Sequence, residues 1–218
     1  MAHSLKKSDG AYPLYGDDGS YVTTLRYGLR WEPVKAERKG LLGKGERKLR
    51  EAQGLTDPAD WDAGAFFLTD GDPKKYIGFG NMDPFKDEDT AEERKSAVHS
   101  GDSVRGDGDG DDEMVDLHLN DIPQRYDSIL LTGGAFKKGS ETLAVKDVKS
   151  TIYDGTGGQF TKVGEFEPSL LRVQRIIVVA RVDREPGTGR WTLSIVDKSY
   201  DITPGDFSSL LRGAMHRR

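Results

Sequence analysis

The longest run of apolar residues in this chain is only five residues long, at positions 176–180. A run of that length suits a β-strand, whereas a membrane-spanning helix needs about 20 apolar residues. The chain also contains 27 glycines among its 218 residues, which favours many tight turns between short strands. We therefore predict an all-β fold with no membrane span.

Strand candidates are short segments rich in β-branched and aromatic residues. They lie at residues 21–31, 62–69, 76–79, 114–119, 128–132, 151–154, 175–182 and 190–196. The last two flank the turn-rich sequence EPGTG, which predicts a β-hairpin. The helices that we expect are short and lie at 46–53, within 83–96 and at 207–214.

The chain length suits one large all-β domain. We predict an irregular N-terminal lead-in at residues 1–20 and a single β domain at 21–218. A basic insertion at about 34–53 interrupts this domain with seven Lys and Arg residues. It is either a solvated surface segment or a contact surface for an acidic partner.

The sequence contains no cysteine, which excludes a disulfide framework, a thiolate zinc site and a cysteine nucleophile. Residues 1–10 lack the apolar core of a signal peptide. Both features fit a protein of the reducing cytoplasm, which is the location that we expect.

The excess negative charge lies in one short segment. Residues 100–113 hold six carboxylates and one arginine, Arg105, which gives the segment a net charge of −5. The rest of the chain has 31 basic and 31 acidic residues (32 less one, and 37 less six), so the whole-chain charge of −5 arises here. Two like charges about 4 Å apart repel by about 4 kcal/mol at an effective dielectric constant near 20. The segment is therefore expected to bind a cation, the alternative being a flexible acidic linker.

The ligand atoms in this segment are hard oxygens, because it contains neither His nor Cys. Its alternate glycines permit backbone conformations in which main-chain carbonyls also turn inward. Such a set favours Ca²⁺, which takes six to eight oxygens, ahead of Mg²⁺, and disfavours zinc. An EF-hand loop that starts at Asp107 would need Gly at its sixth position and Glu at its twelfth, but Asp112 and His118 stand there. The segment is therefore another kind of site.

A second acidic pair, Asp60 and Asp62, flanks Trp61 at the start of a predicted strand. Residues two apart in an extended chain face the same side. Both carboxylates can then face one cation while Trp61 packs away from it, so the pair offers further ligands.

Several blocks of the chain resemble, in order and spacing, the TerD family of tellurium-resistance and stress-response proteins. The blocks are DWDAGAFFL at 60–68, FGN at 79–81, HSGDS at 99–103 and GDGDDE at 108–113. The resemblance implies an antiparallel β-sandwich with a few short helices and with calcium-binding loops at one end, and we expect two Ca²⁺ ions. The predicted metal ligands are Asp60, Asp62, Asn81, Asp102, Gly106, Asp107, Gly108, Asp109, Asp111, Asp112 and Glu113.

These features predict a calcium-binding, non-enzymatic stress-response protein of the tellurite-resistance type, whose acidic loops Ca²⁺ orders for a protein partner. His99 is expected to orient the acidic segment by hydrogen bonding. One alternative is a calcium-stabilised structural component of a phage or phage-tail-like assembly, and another is a metal-dependent hydrolase. Catalysis is disfavoured because hydrolase carboxylates sit in pockets that raise one pKa. The basic tail at 215–218 is too short to indicate nucleic-acid binding, so none is expected.

Overall fold

The computed structural model describes residues 3–16, 19–33, 61–103, 110–135, 145–169 and 176–200. Within these ranges the chain forms twelve strands, a 3-10 turn (Lys7–Asp9) and one α-helix, α1 (Ala91–Arg94). The strands are β1 (His3–Ser4), β2 (Ala11–Pro13), β3 (Thr24–Pro33), β4 (Asp62–Thr69), β5 (Asp72–Ile77), β6 (Ala97–His99), β7 (Glu113–His118), β8 (Ser128–Gly134), β9 (Val145–Asp154), β10 (Thr161–Phe166), β11 (Ile176–Arg184) and β12 (Trp191–Tyr200).

The strands form two six-stranded sheets. Sheet A has the order β1-β10-β9-β3-β7-β6, and sheet B has the order β2-β12-β11-β8-β4-β5. Every pairing of described strands is antiparallel except that of β1 with β10. This arrangement confirms the predicted all-β sandwich.

The core lies between the sheets because side chains alternate along each strand. On β3, Leu25, Tyr27 and Leu29 are fully buried, and on β7 buried positions alternate with half-buried ones. Phe67 of β4 and Ile129 of β8 join the same core from sheet B. The alternate residues, which point to the other face of sheet B, form a second apolar cluster: Phe66, Leu68, Leu130, Ile176 and Val178. Strand β4 is therefore buried on both faces, which explains its nearly continuous apolar sequence.

The predicted hairpin is confirmed by the pairing of β11 with β12, and α1 lies within the segment expected to hold a helical turn. The hydroxyl of Thr90 caps α1 by accepting a hydrogen bond from the Glu93 N–H. The strand predicted at 76–79 starts earlier, at Asp72, because the preceding turn closes at Asp70 and Gly71 with left-handed φ values of 52° and 81°. The predicted helices at 46–53 and 207–214 and the basic insertion lie outside the described residues.

The expectation of an irregular lead-in at 1–20 is wrong for the residues of β1 and β2, which pair with β10 and β12. Strands β6 and β10 were also not predicted. All four lie at or next to a sheet edge, where main-chain hydrogen bonds hold them and the side-chain pattern carries little signal. No helix among the described residues is long and apolar enough to cross a membrane.

Candidate metal centre

Three carboxylates from separate segments meet at one end of the sandwich. Asp62 begins β4 of sheet B, Glu113 begins β7 of sheet A, and Asp102 lies in the segment that follows β6. One oxygen of each lies within 4.8 Å of the others. The side chains of Asp62 and Glu113 are buried, at 3% and 0% exposure, while Asp102 is exposed. The structure thus brings together three of the predicted ligands, in the one such acidic group found among the described residues.

Backbone N–H groups hold the Glu113 carboxylate in place. Its Oε2 accepts a hydrogen bond from the Ala63 N–H at 2.8 Å, and its Oε1 accepts one from the Ser103 N–H at 2.9 Å. These bonds tie β7 to β4 and to the segment that carries Asp102. A carboxylate has about four lone-pair sites, so both oxygens keep acceptor capacity toward a cation.

His99 holds the Asp102 segment against β4. Its Nε2 lies 3.0 Å from the Ala63 carbonyl oxygen, and its Nδ1 accepts a hydrogen bond from the Gly101 N–H at 3.1 Å. This pattern assigns the ring proton to Nε2. The Glu113 Oε2 lies 3.5 Å from the His99 Nε2. Burial lowers the pKa of His99, but the interaction with the Glu113 carboxylate outweighs burial, so the pKa lies above its ordinary value. The geometry agrees with the orienting role predicted for this histidine.

Tyr76 of β5 borders the centre, and the sequence analysis missed it. Its hydroxyl lies 2.8 Å from where a Cβ on Gly64 would be and 2.0 Å from a Cβ on Gly78. Burial, followed by the negative charges of Asp62 and Glu113, raises the pKa of Tyr76. The two glycines leave room for this ring, and they are the only sequence signal that could have indicated it.

Trp61 lies in the main core at 0% exposure, as predicted for the residue that packs away from the acidic side chains. Asn81 is exposed, and its Nδ2 donates a hydrogen bond to the Tyr76 carbonyl oxygen at 2.6 Å. Its main chain bridges back to Gly78, so Asn81 closes the turn that follows β5. Its role as a ligand stays a prediction.

Asp111 and Asp112 do not belong to the group of three. The Asp111 Oδ2 accepts a hydrogen bond from the Tyr153 hydroxyl at 2.6 Å, and the Asp112 Oδ2 accepts one from the Trp31 N–H at 3.0 Å. Burial, together with the Asp111 carboxylate, raises the pKa of Tyr153 to about 12. The remaining predicted ligands lie outside the described residues: Asp60, Gly106, Asp107, Gly108 and Asp109.

The three grouped carboxylates fit a hard divalent cation. They present only oxygen ligands, and two of them are buried, where an uncompensated negative charge is costly. His99 is the nearby nitrogen donor, but both of its ring nitrogens already contact protein groups. The donor set therefore suits Ca²⁺ or Mg²⁺ and disfavours zinc.

Comparison with known proteins relates the chain to one family and to two curated proteins. A family model described as the TerD domain matches residues 1–205. The chain is 31% identical over 146 residues to the tellurium resistance protein TerZ of Serratia marcescens. It is 31% identical over 137 residues to the stress response protein SCP2 of Bacillus subtilis (strain 168). These matches cover 66% and 60% of this chain, and 66% and 58% of the relatives, so the chain spans less than two thirds of either relative.

Two solved structures share the fold. SAV2460, a protein of unknown function, superposes with a TM-score of 0.59 at 19% identity, over 87% of this chain and 96% of that one. SCO6318 of Streptomyces coelicolor A3(2), a homologue of the telluride resistance protein TerD, gives a TM-score of 0.58 at 14% identity, over 86% and 95%. At these identities the similarity shows the fold alone.

Proposed function

The chain belongs to the TerD domain family, and on that premise we propose that it is a calcium-binding protein of the tellurium-resistance and stress-response type. The names of the relatives TerZ and SCP2 support the general function. Because the chain spans less than two thirds of either relative, the activity and partners of those whole proteins come to it only as part of this proposal.

The calcium proposal rests on one observation, the burial of Asp62 and Glu113 within 4.8 Å of each other and of Asp102. A carboxylate removed from water costs several kcal/mol unless its charge is compensated. The backbone N–H groups bonded to Glu113 compensate part of this cost. A divalent cation would compensate more, because it interacts favourably with all three carboxylates at once.

Calcium suits the centre better than magnesium does. Ca²⁺ accepts six to eight oxygens in loose geometry, whereas Mg²⁺ needs near-octahedral geometry and retains several waters. The three carboxylates offer up to six oxygens between them. The predicted ligands Asp60 and 106–109 would add further oxygens. Oxygens that do not coordinate the first ion would be available to a second one.

Bound calcium would join three parts of the chain. Asp62 and Glu113 begin strands in different sheets, and Asp102 belongs to the segment between β6 and β7. An ion shared by them would fix this end of the sandwich and order the acidic segment. We propose that the ordered end is a binding surface for a protein partner.

A binding role is favoured over catalysis by the burial of the carboxylates. A general acid or base must reach a substrate, and the side chains of Asp62 and Glu113 have almost no exposed surface. Only Asp102 of the three is open to solvent. The centre is therefore better suited to holding an ion than to transferring protons to a substrate.

Calorimetric titration of chelator-stripped protein tests the proposal. We expect saturable Ca²⁺ binding and weaker Mg²⁺ binding. Thermal unfolding should shift upward with Ca²⁺, since a ligand at 100 times its Kd adds about 2.7 kcal/mol. Glu113→Gln should weaken binding, while Asp121→Asn, which removes one charge beyond the other end of β7, should bind like the wild type. A wild-type protein that gives no calcium-dependent heat and no thermal shift would contradict the proposal.

A further inference from the structure

The Asp111 carboxylate lies in a cradle on the outer face of sheet A. The hydroxyls of Tyr153 and Thr151, two residues apart on β9, donate hydrogen bonds to its Oδ2 and Oδ1 at 2.6 and 3.4 Å. The floor of the cradle is Gly28 of β3, where a Cβ would lie 2.0 Å from Asp111 Oδ2 and 2.4 Å from its Cγ. A glycine at this position of β3 therefore leaves the space that the carboxylate fills.

The Arg26 side chain adds an electrostatic attraction to the hydrogen bonds of Asp111 in this cradle. Arg26, two residues before Gly28 on β3, donates two hydrogen bonds to Asp116 at 2.6 and 2.8 Å. The hydrogen bond to Asp116 is the main cause that raises the pKa of Arg26, and attraction to the Asp111 carboxylate adds to it. Asp111 thus has two hydroxyl donors and the attraction of the Arg26 charge, in surroundings unlike those of Asp62, Asp102 and Glu113.

The chain changes direction between Asp111 and Glu113. In a regular strand residues two apart face the same side, yet Asp111 lies on the outer face of sheet A while Glu113 is fully buried. Between them, the Asp112 N–H donates to the Leu29 carbonyl oxygen and its carboxylate accepts from Trp31. The acidic segment is therefore fixed on β3 and β9 immediately before Glu113 turns inward.

We propose that Tyr153, acting through Asp111, is a positioning residue for the calcium centre. Its hydroxyl holds the Asp111 carboxylate over Gly28, and this contact sets the point from which Glu113 enters the centre. Asp111 is then an anchor of the acidic segment and not a ligand of the ion. The inference rests on the proposed calcium function.

Calcium titration of four full-length variants tests the inference. Tyr153→Phe removes only the hydroxyl, Asp111→Ala removes the anchored carboxylate, and the double variant removes both. Tyr12→Phe is the matched control, because the Tyr12 hydroxyl also donates to an aspartate, Asp9. Tyr12 lies on β2, four strands from β4 in sheet B and so far from the centre. Each single variant should bind Ca²⁺ about tenfold more weakly, because a tenfold change corresponds to the loss of roughly one charge-assisted hydrogen bond. The double variant should bind no more weakly than Asp111→Ala, since that change already removes the acceptor of the Tyr153 hydroxyl. The control should bind as the wild type does.

Several results would overturn the inference. One is a calcium affinity of Tyr153→Phe equal to that of the wild type. Another is a loss of calcium affinity in Asp111→Ala that is far greater than the loss in Tyr153→Phe, because that would make Asp111 a ligand. A merely structural role would lower the melting temperature equally with chelator and with calcium and leave the affinity unchanged. If Asp111→Ala does not fold, Gly28→Ala replaces it, because its Cβ displaces the same carboxylate. A wild-type chain that binds no calcium would instead refute the proposed function on which the inference rests.

Discussion

Removing the charge of Asp102 should have opposite effects on the calcium-free and the calcium-bound protein. Asp102→Asn keeps the shape of the side chain and removes one of three grouped negative charges. Without calcium, that change relieves repulsion and should stabilise the fold. With calcium, it removes a ligand charge and should reduce the stabilisation that the ion provides.

The size of the effect follows from the distances. At 4.8 Å, one pair of charges repels by about 3.5 kcal/mol at an effective dielectric constant of 20 and by about 0.9 kcal/mol in bulk water. Because Asp102 is exposed, solvent screening places each of its two pairs toward the lower value. We expect a net gain of about 1–2 kcal/mol without calcium, which raises the melting temperature by about 2–8 °C for a chain of this size. If the variant binds calcium tenfold more weakly, the gain at 100 times the wild-type Kd falls from about 2.7 to about 1.4 kcal/mol.

Urea and thermal unfolding of the wild type and Asp102→Asn, each with chelator and with calcium, measure both effects. Asp121→Asn controls for the change in net charge, and it should show neither effect. If Asp102→Asn destabilised the chelated protein, or kept the full calcium-dependent gain, the three carboxylates would not act as a repulsive group that an ion neutralises.

Three further predictions concern residues around the centre. His99→Gln removes the acceptor of the Gly101 N–H and should lower the free energy of unfolding in urea by about 1–3 kcal/mol; an unchanged value would show that these bonds do not hold the segment. Arg26→Lys removes the two-point contact with Asp116 and the stacking of the guanidinium on the Phe160 ring, and it should lower the free energy of unfolding by about 1 kcal/mol, because the pair is partly exposed; a loss of several kcal/mol would contradict this expectation. The pKa of folded Tyr153, about 12, exceeds the value near 10 of an unfolded tyrosine. The protonated Tyr153 hydroxyl therefore contributes fully to the stability of the fold below pH 10, and this contribution declines as the pH rises toward 12. The stability difference between the wild type and Tyr153→Phe should shrink across that window, and a constant difference would argue against a protonated Tyr153 hydroxyl as the donor to Asp111.

The sequence predicted the acidic centre because its signals are local. The concentrated charge of the 100–113 segment indicated a cation, and the acidic pair at the start of β4 added Asp62, which the fold brings to Asp102 and Glu113. Strands β3, β7 and β11 were also predictable, since the alternation on β3 and β7 and the apolar run of β11 are properties of single segments. Of β9 only the end, at 151–154, was expected as a strand. Strands β1, β2, β6 and β10, which lie at or next to a sheet edge, were not, because pairing with a neighbour defines them more than their side chains do.

The surroundings of the centre could not be predicted because they come from distant segments. Tyr153 lies 42 residues from the Asp111 that it contacts, and Tyr76 approaches the centre only through the pairing of β5 with β4. Gly28 appears in the sequence as an unremarked glycine within a strand, and only the folded structure shows that Asp111 occupies the space above it. The acidic residues at 111–113 form one block in the sequence, and β3 separates their side chains between two faces of the sheet.

A crystal structure of the protein grown with calcium, with the ion located by its anomalous scattering, tests the central claim most directly. We predict an ion with at least one oxygen from each of Asp62, Asp102 and Glu113 at about 2.3–2.6 Å, the usual range for Ca²⁺. A saturating concentration of calcium that leaves these three carboxylates without an ion, or an ion bound only by other residues, would contradict the claim.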